Sequence, residues 1–546
     1  MPAAADITAP VLAVDDLSIA LPAGGDRPHA VERASLRLAK RETLCIVGES
    51  GSGKSMLALA LMGLLPKGVT VSHGAIRLEG SDVLALPPEA MRDLRGRRIA
   101  MIFQEPMTAL NPIMTVGRQI AEVLESHRGA GHGIGRRSER RGRVLDLLAA
   151  VGLPDPAQLI DSYPFRLSGG QRQRVMIAAA LTLEPAVLIG DEPTTALDVT
   201  TQMQILKLIK RLQAERDTGV LLITHDFGVV AEVADRVAVM QHGRVVETGP
   251  VEQILAHPTH PYTQSLIAAV PRLAPRAARP LGDALVLEAK GLTKTYRRGG
   301  RLFGRGAKVA ALDHPDFSLR RGETLGVVGE SGSGKSTLAR CILRLLEPDG
   351  GAIRFAGADL MRLSRGALKP YRKRVQMVFQ DPFASLNPRR RVGDIIAAGP
   401  ALHGVPATTA RARTRELLEL VGLDPSVGDR FPHEFSGGQR QRIAIARALA
   451  LEPELLVADE PVSALDVSVQ AQVLALLDAL RRRLGLSMVF ITHDLRIAGQ
   501  ICDTIAVMRH GRIVEYGPPD QVLLAPRDAY TQELVASIPG ARRVVA

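Results

Sequence analysis

Short, uninterrupted apolar runs punctuate this chain, each closed by glycine or by acidic and polar residues. TLCIVG (43–48), AVLIGDE (186–192) and GVLLITHD (219–226) hold apolar positions with no polar alternation between them. A strand with one solvated face alternates apolar and polar residues, whereas a strand covered on both faces does not. The runs therefore predict strands of a largely parallel sheet with helices on both sides, an α/β class. Behind the first run, KSMLALALMGLL starts at Lys54 and reads as a core helix of about three turns. Polar residues gather just past the strand ends, where sheets of this class place ligands.

The pattern is written twice. GESGSGKS occurs at 48–55 and 329–336, SGGQRQR at 168–174 and 436–442, DEP followed by ALD at 191–198 and 459–466, and THD at 224–226 and 492–494. The copies lie 281 residues apart at Lys54 and Lys335 but 268 apart from the SGGQ serines onward, through Tyr262 and Tyr530. The first copy thus carries 13 extra residues between its lysine and its SGGQ. A period of this size means two whole domains rather than a solenoid. The expected division is a first domain over 1–270, a linker over 271–285 (PRLAPRAARPLGDAL, proline-rich and stiff) and a second domain over 286–546.

Composition removes several alternatives. The N-terminus lacks a basic stretch and is acidic at Asp6, Asp15 and Asp16, which is not a secretory signal. No window reaches the ~18–20 uncharged apolar residues of a membrane-spanning helix, so work at a membrane would need a partner that spans it. The net charge of +12 comes with no tryptophan and only 3% aromatics, leaving few platforms for stacking bases. The basic clusters 136–143, 389–391 and 481–483 are read as solvated faces, the alternative being contact with lipid headgroups or an acidic partner, and no nucleic-acid partner is expected. Cys45, Cys341 and Cys502 are scattered in apolar surroundings, so they predict neither zinc site nor disulfide but buried small side chains.

GxxxxGK[ST] between a strand and a helix is a phosphate loop. Its glycines let backbone N–H groups converge on an anion, and the helix presents its positive end. Gly48, Glu49, Ser50, Gly51, Ser52, Gly53, Lys54 and Ser55 form one such loop. Gly329, Glu330, Ser331, Gly332, Ser333, Gly334, Lys335 and Ser336 form the other. Lys54 and Lys335 would reach the β- and γ-phosphates of ATP, and Ser55 and Ser336 would ligate Mg²⁺. Asp191 and Asp459, at strand ends, suit the Mg²⁺ shell, and the adjacent Glu192 and Glu460 are placed to orient the attacking water. Phosphoryl transfer demands mainly such positioning and charge neutralisation.

Ser168, Gly169, Gly170 and Gln171, with Ser436, Gly437, Gly438 and Gln439, again pair a close-approach glycine turn with a helix start. LSGGQRQR and FSGGQRQR resemble the signature of ATP-binding-cassette (ABC) ATPases, a resemblance that covers nearly the whole chain. It implies two tandem P-loop ATPase domains, each a mainly parallel sheet plus a helical subdomain carrying the signature. It further implies that Gln104 and Gln380 are Q-loop residues at the Mg²⁺ site, that His225 and His493 are switch histidines contacting the γ-phosphate, and that the segments ending at Asp198 and Asp466 are D-loops. Family members pair head to tail, so each loop would face the other copy's signature. Neither copy lacks a motif residue, and both sites are expected to hydrolyse ATP. Tyr296 matches the aromatic that stacks on adenine. The first copy offers Leu21 there, which implies weaker nucleotide binding at site one.

NPIMTVGRQI (111–120) and NPRRRVGDII (387–396) resemble the region with which peptide importers grip their permeases. The tails HPTHPYTQSLIAAVP and APRDAYTQELVASIP, with the phrasings EPMTALNP and DPFASLNP, resemble oligopeptide, dipeptide and nickel importer ATPases. This implies an ATPase of a bacterial importer for short peptides or peptide-like substrates, at the cytoplasmic face of the inner membrane. Its expected partners are two different permease subunits and, through them, a substrate-binding protein. Some relatives hold a cysteine-ligated iron–sulfur cluster, for which this chain has no cysteine cluster. The alternative, a soluble ribosome-associated ABC translation factor, usually joins its cassettes by a long charged helix that 271–285 does not resemble.

Overall fold

The structure, a computed structural model, describes all residues except 1–9, 25–26, 105–108, 128–135, 195–196, 299–306, 464 and 540–546. The first half of EPMTALNP, Thr195, and the alanines Ala196 and Ala464 of the two ALD segments therefore lie outside the described residues.

Each half is built on a six-stranded sheet. In the first the order is Arg244–Pro250, Arg236–Gln241, Thr43–Val47, Gly219–Ile223, Val187–Asp191 and Ile99–Ile102. In the second it is Arg512–Gly517, Thr504–Arg509, Thr324–Val328, Ser487–Thr492, Leu455–Asp459 and Val375–Val378. Five strands of each are parallel, and only the outer strand (244–250 or 512–517) runs against its neighbour. The unbroken apolar runs have a direct cause. In TLCIV all five residues are buried, with Cys45 and Val47 in one core and Leu44 and Ile46 in another across the sheet.

A second, antiparallel sheet was not anticipated from the sequence. Leu12–Ala20 pairs with His29–Leu38 and Thr70–Leu78, and Leu285–Arg298 pairs with Ala307–Asp313, Phe317–Arg320 and Gly350–Phe355. Its alternation is broken by register shifts, as between Val14 and Leu17 where Asp15 and Asp16 intervene, and a bulge of this kind erases the period of two. On the opposite face of each main sheet lies a helical layer: Val116–Ser126, Arg137–Ala150 and Gly169–Ala180 in the first half, Val392–Leu402, Ala407–Leu420 and Gly437–Leu449 in the second.

The halves exchange side chains. Val199, at the start of helix Val199–Arg216, packs in the second half's core, and Val467, at the start of Val467–Leu484, packs in the first half's core. Between the halves, Val270 is buried in the first core and Leu273 already packs against the second. Residues 271–284 have neither helix nor strand. Their arginines bind the second half: Arg276 to Asp478 (3.2 Å), and Arg279 to both oxygens of Asp503 (2.7 and 2.6 Å).

The three cysteines are free and fully buried, and burial pushes the Cys341 thiol up to about 11. The basic clusters are largely solvent-exposed, as expected, with Arg140 and Arg481 the buried exceptions. Arg481 is buried against Asp478, Arg141 makes a two-pronged pair with Asp161 (3.0 and 2.8 Å), and Arg143 binds Glu184. These three arginines also tie elements together.

Candidate functional site

The two phosphate loops follow Thr43–Val47 and Thr324–Val328, strands flanked on both sides by parallel neighbours, at the carboxyl edge of each sheet. Gly53 and Gly334 cap the following helices with φ of 103° and 109°, the left-handed region. A Cβ there would lie 2.4 Å from the Ala30 carbonyl oxygen or 2.3 Å from that of Ala311, so only glycine fits. Lys54 Nζ donates to the carbonyls of Gly48 (2.7 Å) and Glu49 (2.8 Å), and Lys335 Nζ to those of Gly329 (2.7 Å) and Glu330 (2.8 Å). Both lysines are buried. Burial pushes their pKa down, while carboxylates around them pull the other way: Asp466, Glu192 and Asp191 for Lys54, and Glu460, Asp459 and Asp198 for Lys335.

Around each loop the predicted side chains converge with the same geometry. Ser55 Oγ donates to Asp191 Oδ1 at 3.1 Å, and Ser336 Oγ to Asp459 Oδ1 at 3.2 Å. Burial raises the pKa of both aspartates. Gln104 Nε2 donates to Glu192 at 3.0 Å, and Gln380 Nε2 to Glu460 at 2.9 Å. His225 Nδ1 lies 3.1 Å from the other oxygen of Glu192, and His493 Nδ1 lies 3.4 Å from Glu460. Burial disfavours the charged imidazoles, but the hydrogen bond and charge of the glutamate outweigh it, so both histidines are raised above the ordinary value. Glu460 shows the reciprocal effect: burial would raise it, yet its bond and charge pairing with His493 bring it below the usual range. Glu192 and Glu460 themselves sit at φ 47° and 45°. A non-glycine residue held in the left-handed region costs about 1–3 kcal/mol, and such strain is typical of functional positions.

The halves meet around the segments that end in Asp198 and Asp466. Asp466 of the second copy acts on Lys54, and Asp198 of the first acts on Lys335. Ser468, on the helix after the second D-loop, donates across to the Glu49 carboxylate. The equivalent Thr200 hydroxyl is buried without a hydrogen-bond partner among the described residues.

The signature serines keep their hydrogen bonds within their own helices. Ser168 and Gln171 close a capping box, as do Ser436 and Gln439. A Cβ on Gly170 would come within 2.7 Å of Thr201, and one on Gly438 within 2.3 Å of Val469, so the second glycine of each motif lets its helix pack on the D-loop helix.

Two stretches, residues 31–195 and 312–463, match the family model described as "ABC transporter". The chain is 49% identical over 97% of its length to "Glutathione import ATP-binding protein GsiA" of Salmonella typhimurium (strain LT2), covering 89% of that protein. This chain belongs to the ABC transporter family. It is also 48% identical to the GsiA protein of Escherichia coli O157:H7 (97% of this chain, 89% of that protein). To "Peptidoglycan transport ATP-binding protein YejF" of Agrobacterium fabrum (strain C58) it is 47% identical, over 97% of this chain and 96% of that protein. Residues 246–294 and 514–544 match the model "Oligopeptide/dipeptide transporter, C-terminal region". Membership brings ATP hydrolysis as the activity, and these matches lend no support to a ribosome-associated translation factor.

In this ABC ATPase the sheet registers relate Tyr296 to Leu21. Leu12 pairs with Leu38 and Leu78 as Leu287 pairs with Leu319 and Phe355, and the same offset carries Leu21 onto Tyr296. Tyr296 is exposed on its strand, whereas Leu21 packs on the core beside the antiparallel sheet.

One residue was missed in the sequence reading. Arg496 takes the place held by Gly228 in the first copy. It is half-buried between Asp494, the residue after His493 in its own half (2.7 Å), and Asp226, the matching residue of the other half (3.6 Å). Burial would lower the Arg496 pKa, but the two aspartates hold it well above the ordinary value. Gly228 leaves the space, because a Cβ there would sit 2.9 Å from Arg496 Nη1. The signal in the sequence was a break in the repeat, glycine against arginine, two residues after an invariant THD.

Proposed function

We propose that this chain is the ATP-hydrolysing subunit of a bacterial binding-protein-dependent importer whose cargo is short peptides or peptide-like molecules such as glutathione. The observation that carries the reading is the pair of peptide-transporter C-terminal matches, one after each cassette, on a chain related over 97% of its length to glutathione-import ATP-binding proteins. The halves are 1–270 and 286–546, joined by 271–285. No helix among the described residues is long and apolar enough to cross a membrane. On the importer reading, cargo movement falls to partner permeases and the chain sits beside them at the cytoplasmic face.

Site one comprises Lys54, Ser55, Gln104, Asp191, Glu192 and His225, completed by the signature Ser436–Gly438 of the other half. Site two comprises Lys335, Ser336, Gln380, Asp459, Glu460 and His493, completed by Ser168–Gly170. The residues fit Mg²⁺: a serine hydroxyl, an aspartate and a glutamine amide are hard oxygen donors, and the burial that penalises the charge on Asp191 and Asp459 favours a cation beside them. Mg²⁺ held there would neutralise charge on the β- and γ-phosphates. The lysine ammonium binds the same phosphates. Glu192 and Glu460, each gripped by a glutamine amide and a histidine, have their carboxylates fixed to orient the attacking water and accept its proton as the β–γ bridge breaks. The histidine, raised in pKa, offers a donor to the γ-phosphate.

Closure of the halves on ATP would turn the permeases outward, and hydrolysis would reset them. Contact with the permeases is assigned to two grooves of the helical layers. One, of 610 Å³, is lined by Met114, Arg118, Glu122, Arg137 and Arg141 beside exposed Ile113, and the other, of 760 Å³, by Arg391, Asp394, Arg411, Arg415 and Asp429. Their different linings suit two different permeases. Tagged protein is to be isolated from native membranes in mild detergent and its partners identified by mass spectrometry. Two distinct multi-span proteins are expected; ribosomal proteins without permeases would overturn the importer.

A further inference from the structure

Each half ends in a short helix, Pro261–Ala268 or Ala529–Ala536, reached from the outer strand of its main sheet. A glutamate on that strand clamps the approach. Glu247 accepts from the amides of Thr259 (2.7 Å) and His260 (3.2 Å), and Glu515 from those of Arg527 (2.9 Å) and Asp528 (3.2 Å). A cap then fixes the first turn: His260 Nδ1 accepts from the Tyr262 amide at 3.2 Å, and Asp528 from the Tyr530 amide at 2.9 Å. The tyrosine so placed reaches back more than half the length of its domain. The Tyr262 hydroxyl oxygen accepts a hydrogen bond from the Glu49 N–H at 3.0 Å, and that of Tyr530 from the Glu330 N–H at 3.1 Å.

The group each tyrosine holds matters. The Glu49 N–H and the Gly48 carbonyl belong to one planar peptide unit, and its two polar groups point in opposite directions. The phenol grips one edge of that plane, and the other edge accepts Lys54 Nζ at 2.7 Å. Gly329 and Glu330 repeat the arrangement with Lys335, also at 2.7 Å. Rotation of the plane would release both partners together. Burial pushes both phenols up to about 12, so they remain protonated and neutral beside the loops at physiological pH.

We propose that Tyr262 and Tyr530 are positioning residues of the two ATP sites, each phenol fixing the loop peptide whose carbonyl orients the phosphate-binding lysine. The inference rests on the reading of both loops as ATP sites. It makes the C-terminal extension of each half a working part of the nucleotide site, so that a load on the extension is felt at the lysine.

Tyr→Phe keeps the ring and its packing and removes only the hydroxyl, which at Tyr262 also meets the Glu49 carboxylate and at Tyr530 takes only the loop amide. The full chain, Tyr262→Phe, Tyr530→Phe and the double variant are to be compared by MgATP binding (Kd) and by ATPase KM and kcat, with melting temperature alongside. Loss of one such bond to a loop predicts a Kd and KM about three- to tenfold higher at the altered site, with kcat changed by less than about twofold. Unchanged Kd and KM in the double variant, whatever happens to melting temperature, would overturn the inference, because a merely structural tyrosine alters stability alone. A wild-type chain that does not bind MgATP would fail at the earlier step, the reading of the loops as ATP sites, and would take the inference with it.

Discussion

Removing Arg496 tests whether the two switch loops are held by one shared cation. Arg496→Ala leaves Asp226 and Asp494 facing each other in a partly buried pocket between the halves, their side chains only 22% and 15% exposed. Charges 3.6 Å apart at an effective dielectric constant of about 20 attract by roughly 4.6 kcal/mol, before the cost of desolvating the guanidinium. Breaking a buried pair on one side costs about 3–5 kcal/mol, and residual access of water to Asp226 puts this case at about 2–3. The loss should fall on the segment after His225, where the Gly228 amide donates to Asp226 at 2.8 Å. Hydrogen exchange of peptides spanning 224–233 reads the local opening free energy directly. The expected acceleration is about 30- to 150-fold, since about 1.4 kcal/mol is a factor of ten. Adding Asp226→Asn should recover most of it, because the orphaned charge is then gone. Exchange within about threefold of wild type in Arg496→Ala would refute the reasoning and make the arginine a bystander.

Two further outcomes follow from the site geometry. Glu192→Gln and Glu460→Gln should each lower steady-state ATP turnover to half or less, and together by about 10²- to 10⁴-fold, the range of a lost general base; a single replacement that leaves turnover untouched would show that only one site works. His225 and His493 are raised above about 6.5, so their ion pairs stabilise the fold fully below that pH and lose their effect as pH rises through the raised values. Glu460 is depressed below about 4.5, so its share fades only on acidification. The melting-temperature advantage of wild type over His225→Ala/His493→Ala should therefore be largest near pH 5–6.5 and shrink by about 2–4 °C towards pH 9, where a constant difference would contradict it.

What could be read from the sequence follows the range of the forces involved. Lys54, Ser55, Asp191, Glu192 and His225 each lie within a few residues of an apolar strand end, so the motif and its place on the sheet come together, and the structure brings Ser55 onto Asp191 and His225 onto Glu192. The antiparallel sheet escaped because its strand Leu12–Ala20 carries two aspartates at a bulge, which masks the alternation. Contacts between the halves escaped for another reason. Arg496 and Asp226 lie 270 residues apart and Ser468 and Glu49 lie 419 apart, and no local periodicity encodes such partners. Nor does a charge count reveal which arginine of an exposed cluster is buried, as Arg481 is against Asp478.

The crossing from Val270 to Leu273 sets how this machine can move. Three residue steps span at most about 11 Å, with Val270 seated in the first core and Leu273 packed against the second. The two bodies are stapled along one edge and cannot part there, so any opening is a jaw-like swing about that staple, widest at the far side. The same staple keeps each half permanently in the presence of its mate at an effective concentration that no dilution of the protein lowers. On the proposed function, assembly of the two sites is then a property of the single chain, and the swing, rather than an encounter between subunits, is what ATP would drive.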